Sequence, residues 1–232
     1  MLWLLLACSD HAAILNGEAL ASGNPVPFIA QCNKQDSTAL ALQAAVIKSG
    51  AVSAGADCEA VWPRLSTVTN LDLSHVNAEL DLKAISGMTN LKELSAYEKG
   101  IRDLEPIRNL IRMEKLYLVR NKITDISPLE NLTQLRYLRL DGNDITNIRV
   151  VSKLRKLEKL GLDDNNIFDF RPIAELPVLM DLNTNFNPVD LEKCPDGPTV
   201  TPKLVKYCKR LKKKTTDIQG AIDPKDPPPL RK

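Results

Sequence analysis

Cys8, Cys32, Cys58, Cys194 and Cys208 are the side chains with the most chemistry to offer in this 232-residue sequence, and their grouping is informative. Cys32 and Cys58 stand together before a long stretch dense in leucine, Cys194 and Cys208 stand together after it, and Cys8 is left over. Two readings fit: five buried reduced thiols, or two local disulfides with one odd cysteine. The second accounts for the grouping and implies an oxidising compartment. No CxxC occurs, and only His11 and His75 are available to join cysteines around a metal, so no metal site is expected.

Acid–base chemistry finds thinner support. Asp141 and Asp163, with Asp164 next door, are the acids that a repeated strand would bring together, as calcium ligands or as the paired carboxylates of a hydrolase. No EF-hand spacing backs them, and solvated acids at a sheet edge are the expected reading. His75 has no Cys or Ser placed beside it, so it reads as a surface residue at a strand end. No catalytic residue and no cofactor are expected. Net charge is +2, which points to no nucleic-acid partner. The positive excess is local: Lys206, Lys209, Arg210, Lys212, Lys213 and Lys214 crowd one stretch. That run has the composition for anionic lipid or nucleic acid, but reads as a solvated helix face.

Aromatic residues make up only 4% of the chain, so its core needs another regular source of burial. Leucine spacing supplies it. Met88, Leu110, Leu132, Leu154 and Leu176 recur every 22 residues, and an earlier unit starts at Leu65 with one extra residue. The common form is LxxLxxLxLxxNxIxDIxPLxx. Pairs such as Leu116/Leu118 and Leu138/Leu140 have the period of a short strand with its leucines turned inward. Asn121, Asn143, Asn165 and Asn187 fall where the strand ends, and there an amide both donates to and accepts from a turning backbone. Asp81, Asp103, Asp125, Asn147 and Asp169 precede a short helical turn, with Pro106, Pro128 and Pro172 inside it. One such unit cannot bury its own core, whereas stacked units can. The fold class is therefore α/β: a solenoid with a concave parallel β-sheet.

The unit resembles the 22-residue leucine-rich repeat of the internalins, bacterial surface proteins whose repeats bind host receptors. The resemblance covers residues 65–188, about six repeats, and implies fold far more tightly than ligand. Val76 and Lys99 replace the ladder asparagine in the first two units, so that end is expected to be irregular. No immunoglobulin-like domain or wall anchor follows the repeats, so internalin-like invasion is not implied.

The ends of a solenoid must be covered. Residues 28–64 read as a helical N-terminal cap tied by Cys32–Cys58. Asp36 or Ser37 caps a helix from Thr38 to Lys48, with Leu40, Ala44 and Ile47 on one face, and a turn follows at Asp57–Trp62. Residues 189–214 read as a helical C-terminal cap closed by Cys194–Cys208, and residues 215–232 as a disordered tail. The remaining cysteine has a different setting. Leu5-Leu6-Ala7-Cys8 resembles a bacterial lipobox, in which the cysteine is lipidated, so residues 1–8 look like the remnant of a signal peptide. Residues 9–27 then form a tether. The missing basic n-region suggests a start placed too late or a trimmed sequence. The resemblance implies a lipid-anchored protein of the cell envelope, at the outer membrane or cell surface, with a secreted or periplasmic protein as the alternative.

Residues alternating with the inward leucines face the concave side. Tyr97, Tyr117, Tyr137, Val119 and Arg139 cluster there over three neighbouring strands, with Lys115 beside them. Tyr and Arg are enriched at interface hot spots. The function expected is a monomeric, non-enzymatic module that binds a protein partner through its concave face. The alternatives are an envelope scaffold or regulatory subunit for an endogenous partner and, more distantly, the hydrolase.

Overall fold

The computed structural model describes residues 26–48, 56–188 and 190, together with 194, 205, 208 and 209. Six parallel strands lie in sequence order: β1 (Asn70–Asp72), β2 (Glu93–Ser95), β3 (Lys115–Tyr117), β4 (Tyr137–Arg139), β5 (Lys159–Gly161) and β6 (Asp181–Asn183). Their central leucines are in register from Leu71 through Leu94, Leu116, Leu138 and Leu160 to Leu182. All but Leu182, which stays partly open on the edge strand, are buried in one continuous core. The short strand period, repeated every unit, thus becomes one leucine stack running the length of the solenoid.

The asparagine column works as its chemistry requires. Asn143 donates through Nδ2 to the carbonyls of Leu118 and Leu140 at 3.0 and 2.9 Å, and its Oδ1 accepts from Ile123 N at 3.1 Å. Asn121, Asn165 and Asn187 repeat this pattern, each spanning two units. Each amide satisfies buried peptide groups that the turn would otherwise orphan. Where the ladder is broken, Lys99 Nζ donates to Val76 O at 2.7 Å, so the first units are irregular in the way expected.

The return arms are 3₁₀ turns: Leu82–Ile85, Glu105–Ile107, Ser127–Asn131, Arg149–Lys153 and Arg171–Glu175. The Asp/Asn column serves all five, because each side chain accepts the N–H two residues on at 2.8–3.0 Å. Only Asp81 stands at the helix boundary itself. The other four sit one residue farther out and make an Asx turn that leads into the helix.

The N-terminal cap has three helices rather than one helix and a turn. A helix not anticipated, α1 (Val26–Asn33), begins inside the expected tether and buries Phe28 and Cys32. Helix α2 (Ser37–Lys48) is started by Asp36, whose Oδ1 accepts from Thr38 N and Ala39 N. Its inward residues are Thr38, Ala39 and Leu42, whereas Leu40 and Ala44 are exposed. The expected face is therefore rotated, because α2 packs between α1, α3 and the first 3₁₀ turn. The side chain of Ile47 lies outside the described residues. The expected turn at Asp57–Trp62 is the start of α3 (Cys58–Leu65), capped by Asp57 Oδ1 on Ala60 N at 2.8 Å. Trp62 stacks on Phe28 with ring centroids 5.9 Å apart, and Cys32 is bonded to Cys58. At the other end Cys194 is bonded to Cys208, and both are buried against the core with Val205 beside them. Cys8, the tether up to residue 25 and the tail 215–232 lie outside the described residues.

Candidate functional site

Three rows of side chains cross the concave sheet. The register places Glu93, Lys115, Tyr137, Lys159 and Asp181 in one row, and Ser95, Tyr117, Arg139, Gly161 and Asn183 in the next. Tyr97, Val119, Asp141 and Asp163 form the third, just past the strands. Lys115, Tyr117, Tyr137 and Arg139 are brought together on β3 and β4, with Val119 on the strand's continuation. Tyr97 is one strand away and is held separately: the Arg120 guanidinium lies 5.7 Å from its ring centroid and pairs with Glu98 at 3.0 Å.

Tyr137 is the centre of the group. Lys159 Nζ lies 5.4 Å, Arg136 Cζ 5.8 Å and Lys115 Nζ 5.9 Å from its ring centroid, all within cation–π range. Lys115 also donates to Glu93 Oε2 at 3.0 Å, and this hydrogen-bonded acid raises its amine pKa above the ordinary value. Arg136 pairs with Glu158 at 2.6 Å. Lys159 stands in register between Tyr137 and Asp181. Burial, with the Glu93 charge adding to it, pushes the Tyr117 phenol up, so Tyr117 offers a neutral hydroxyl to a partner.

Arg139 is anchored from beneath. Its Nε donates to Asp141 Oδ2 at 2.9 Å, while Asp141 Oδ1 accepts from Asp163 N at 3.1 Å. Asp141 is only 7% exposed, which corrects its reading as a solvated acid. The space it fills is vacated by Gly161, where an added Cβ would stand 2.5 Å from Asp141 Oδ2. Asp163 is likewise engaged, accepting from Asn185 N at 2.6 Å. The two carboxylates thus prolong the hydrogen-bond ladder past the strand ends.

Residues 89–131 and 111–150 match the leucine-rich-repeat family model in two overlapping copies. A crystal structure of an internalin from Listeria monocytogenes matches with 37% identity and a TM-score of 0.53, covering 55% of this chain and 37% of that one. The chain carries leucine-rich repeats similar to those of the internalins. Internalin C2 of the same organism matches at 24% identity over 80% of this chain and 95% of that one, with a TM-score of 0.51, a likeness of fold. A leucine-rich-repeat protein of Leptospira interrogans matches at 26% identity, covering 56% of this chain and 34% of that one, with a TM-score of 0.52. The chain thus spans about a third of the length of the first and third of these relatives. No curated protein sequence matches it.

In this internalin-like solenoid the sequence reading left Lys159 and Arg136 out of the group, and it weighed Asp141 only as a calcium ligand, a paired carboxylate or a solvated acid, not as the anchor of Arg139. Lys159 was visible as the next member of the Lys115–Tyr137 row, but Arg136, one residue before the strand, gave no signal. His75 is exposed at the end of β1, 3.7 Å from Asp72, as its position implied. On the turn side, a depression of about 280 Å³ is lined by Asn121, Gly142, Asn143, Asp144, Asp164 and their neighbours. Its ladder asparagines are already spent on backbone groups. Among the described residues no group of acids, histidines and cysteines is arranged to hold a metal ion.

Proposed function

We propose that this chain is a non-enzymatic protein-binding module of the bacterial envelope, gripping a protein partner with the concave face around β3 and β4. The observation that carries this reading is the side-by-side placement of Tyr117, Tyr137 and Arg139, with Lys115 and Val119, on a rigid sheet whose own hydrogen bonds are satisfied. Aromatic and arginine side chains held in fixed positions lose little entropy on binding and dominate interface energies. The engagement of Asp141 and Asp163 within the ladder weighs against the hydrolase. Two disulfides suit an extracytoplasmic address, and the lipobox-like Leu5–Cys8 supplies the proposed anchor. Stable anchoring then needs the several acyl chains of a lipoprotein, since one short chain binds only marginally.

The test is Tyr117→Ala combined with Arg139→Ala. Partner capture should weaken by about 2 kcal/mol or more, while the thermal midpoint stays nearly unchanged. A partner indifferent to both changes places the binding surface elsewhere. For the address, Cys8→Ala should release the protein from the membrane fraction, and a bare Cys8 in mass spectra of host-derived protein would refute lipidation.

A further inference from the structure

The turn side of the last units carries apolar surface that the fold does not use. Past β5 the chain alternates, with Asn165 and Ile167 turned inward and Asp164, Asn166 and Phe168 outward. Past β6 the same alternation leaves Phe186 and Pro188 outside. Two of the chain's four phenylalanines are therefore exposed on one margin, Phe168 at 51% and Phe186 at 85%. Phe186 also stands in left-handed backbone, with φ 59°, a conformation that costs a bulky residue free energy and that little packing supports here.

Acids accompany these rings. Asp164 and Phe186 occupy the same place in successive units, and Asp164 N donates to Asn185 O at 2.8 Å, so their backbones are about 5 Å apart. Asp164 and Asp144 both line the depression of about 280 Å³, which is at the lower limit of clefts that hold small molecules and suits a single long side chain. Among the described residues neither carboxylate makes an ion pair. Arg120, Lys122 and Arg171 of the neighbouring turns are paired with Glu98, Glu79 and Asp169, and Arg149 lies farther on, at the start of its 3₁₀ turn. A guanidinium suits such a margin twice over, because its plane stacks on an aromatic ring while its fork donates to a carboxylate. We propose that the turn side of the last units is a second docking surface, separate from the concave face. It takes a protein segment that presents an arginine beside Asp164, its plane on Phe186 and its charge shared with Asp144, with apolar side chains against Phe168 and Pro188.

A displayed library of random linear peptides selected on the full chain tests it. One class of selected peptides should carry arginine beside apolar residues and should weaken as salt rises. Asp164→Asn and Phe186→Gly should each weaken that class at least about tenfold, whereas Tyr117→Ala with Arg139→Ala should leave it unchanged. Phe186→Gly relieves the left-handed backbone, so its effect cannot come from a damaged fold. Lysine in place of the peptide's arginine should weaken binding too, since an ammonium has neither plane nor fork. No such class, or peptides that respond to the turn-side changes without carrying arginine, would overturn the proposal and leave the concave-face reading standing. Two further results would overturn it by naming another occupant. Self-association of the full chain that Phe186→Gly abolishes would point to a second copy. Tighter peptide binding after Lys212, Lys213 and Lys214 are changed to serine would point to the chain's own basic stretch.

Discussion

Gly161 is small because Asp141 lies over it, and this pair sets how firmly Arg139 is held. Gly161→Ala places a methyl group 2.5 Å from Asp141 Oδ2. The carboxylate must leave its place, abandoning both Arg139 Nε and Asp163 N. We expect a stability loss of about 1–3 kcal/mol in denaturant titration, together with weakened partner capture although no contact residue has changed. Asn143→Ala acts at the same scale on the ladder. It orphans the buried Leu118 and Leu140 carbonyls and Ile123 N, and should lower stability by a similar amount without altering capture. The two outcomes separate positioning of the site from support of the fold. Asn143 was legible in the sequence because one residue type does one job in every unit. Asp141 was not, because its burial depends on the absence of a side chain 20 residues on, across a strand pair.

At the level of the element, every strand but β1 is followed by a residue in left-handed backbone. Glu98, Arg120, Gly142, Asp164 and Phe186 occupy the same place in successive units, with φ between 54° and 68°. Only Gly142 adopts this without strain. Phe186 is 85% exposed, so little packing holds it there. Phe186→Gly should therefore raise stability by about 1 kcal/mol, read as an upward shift of the thermal midpoint. Gly142→Ala should lower it comparably, since its Cβ would also press on Arg120 Cγ at 3.0 Å. The sequence hid this column because Glu, Arg, Gly, Asp and Phe share no chemistry, and the conformation is imposed by the ladder on either side. The strands were legible for the opposite reason, since leucine alternation survives in every unit. Helix α1 escaped notice because VPFIAQCN is short and carries its apolar residues without a helical stripe or a capping residue.

Across the whole molecule, each unit touches mainly its neighbours, so stability accumulates along the stack and the ends matter most. Cys32–Cys58 spans 26 residues and ties α1 to α3 over the first unit. Replacing both cysteines by serine should lower stability by about 3–4 kcal/mol on the chain-entropy account. Amide exchange should then rise first around β1 and Leu82–Ile85, and last at β4. The in-register stack has a metric consequence as well. The sheet is a ruler graduated in whole strands: Lys115 and Lys159 can be two graduations apart, or three, but nothing between. Inserting a second copy of residues 132–153 between β4 and β5 would keep every leucine and asparagine in step while moving the two lysines to about 15 Å. Such a lengthened chain should fold, yet hold a partner that touches both lysines less well, because the two contacts no longer match its spacing. The length of the repeat array would then select the partner as strictly as the side chains upon it.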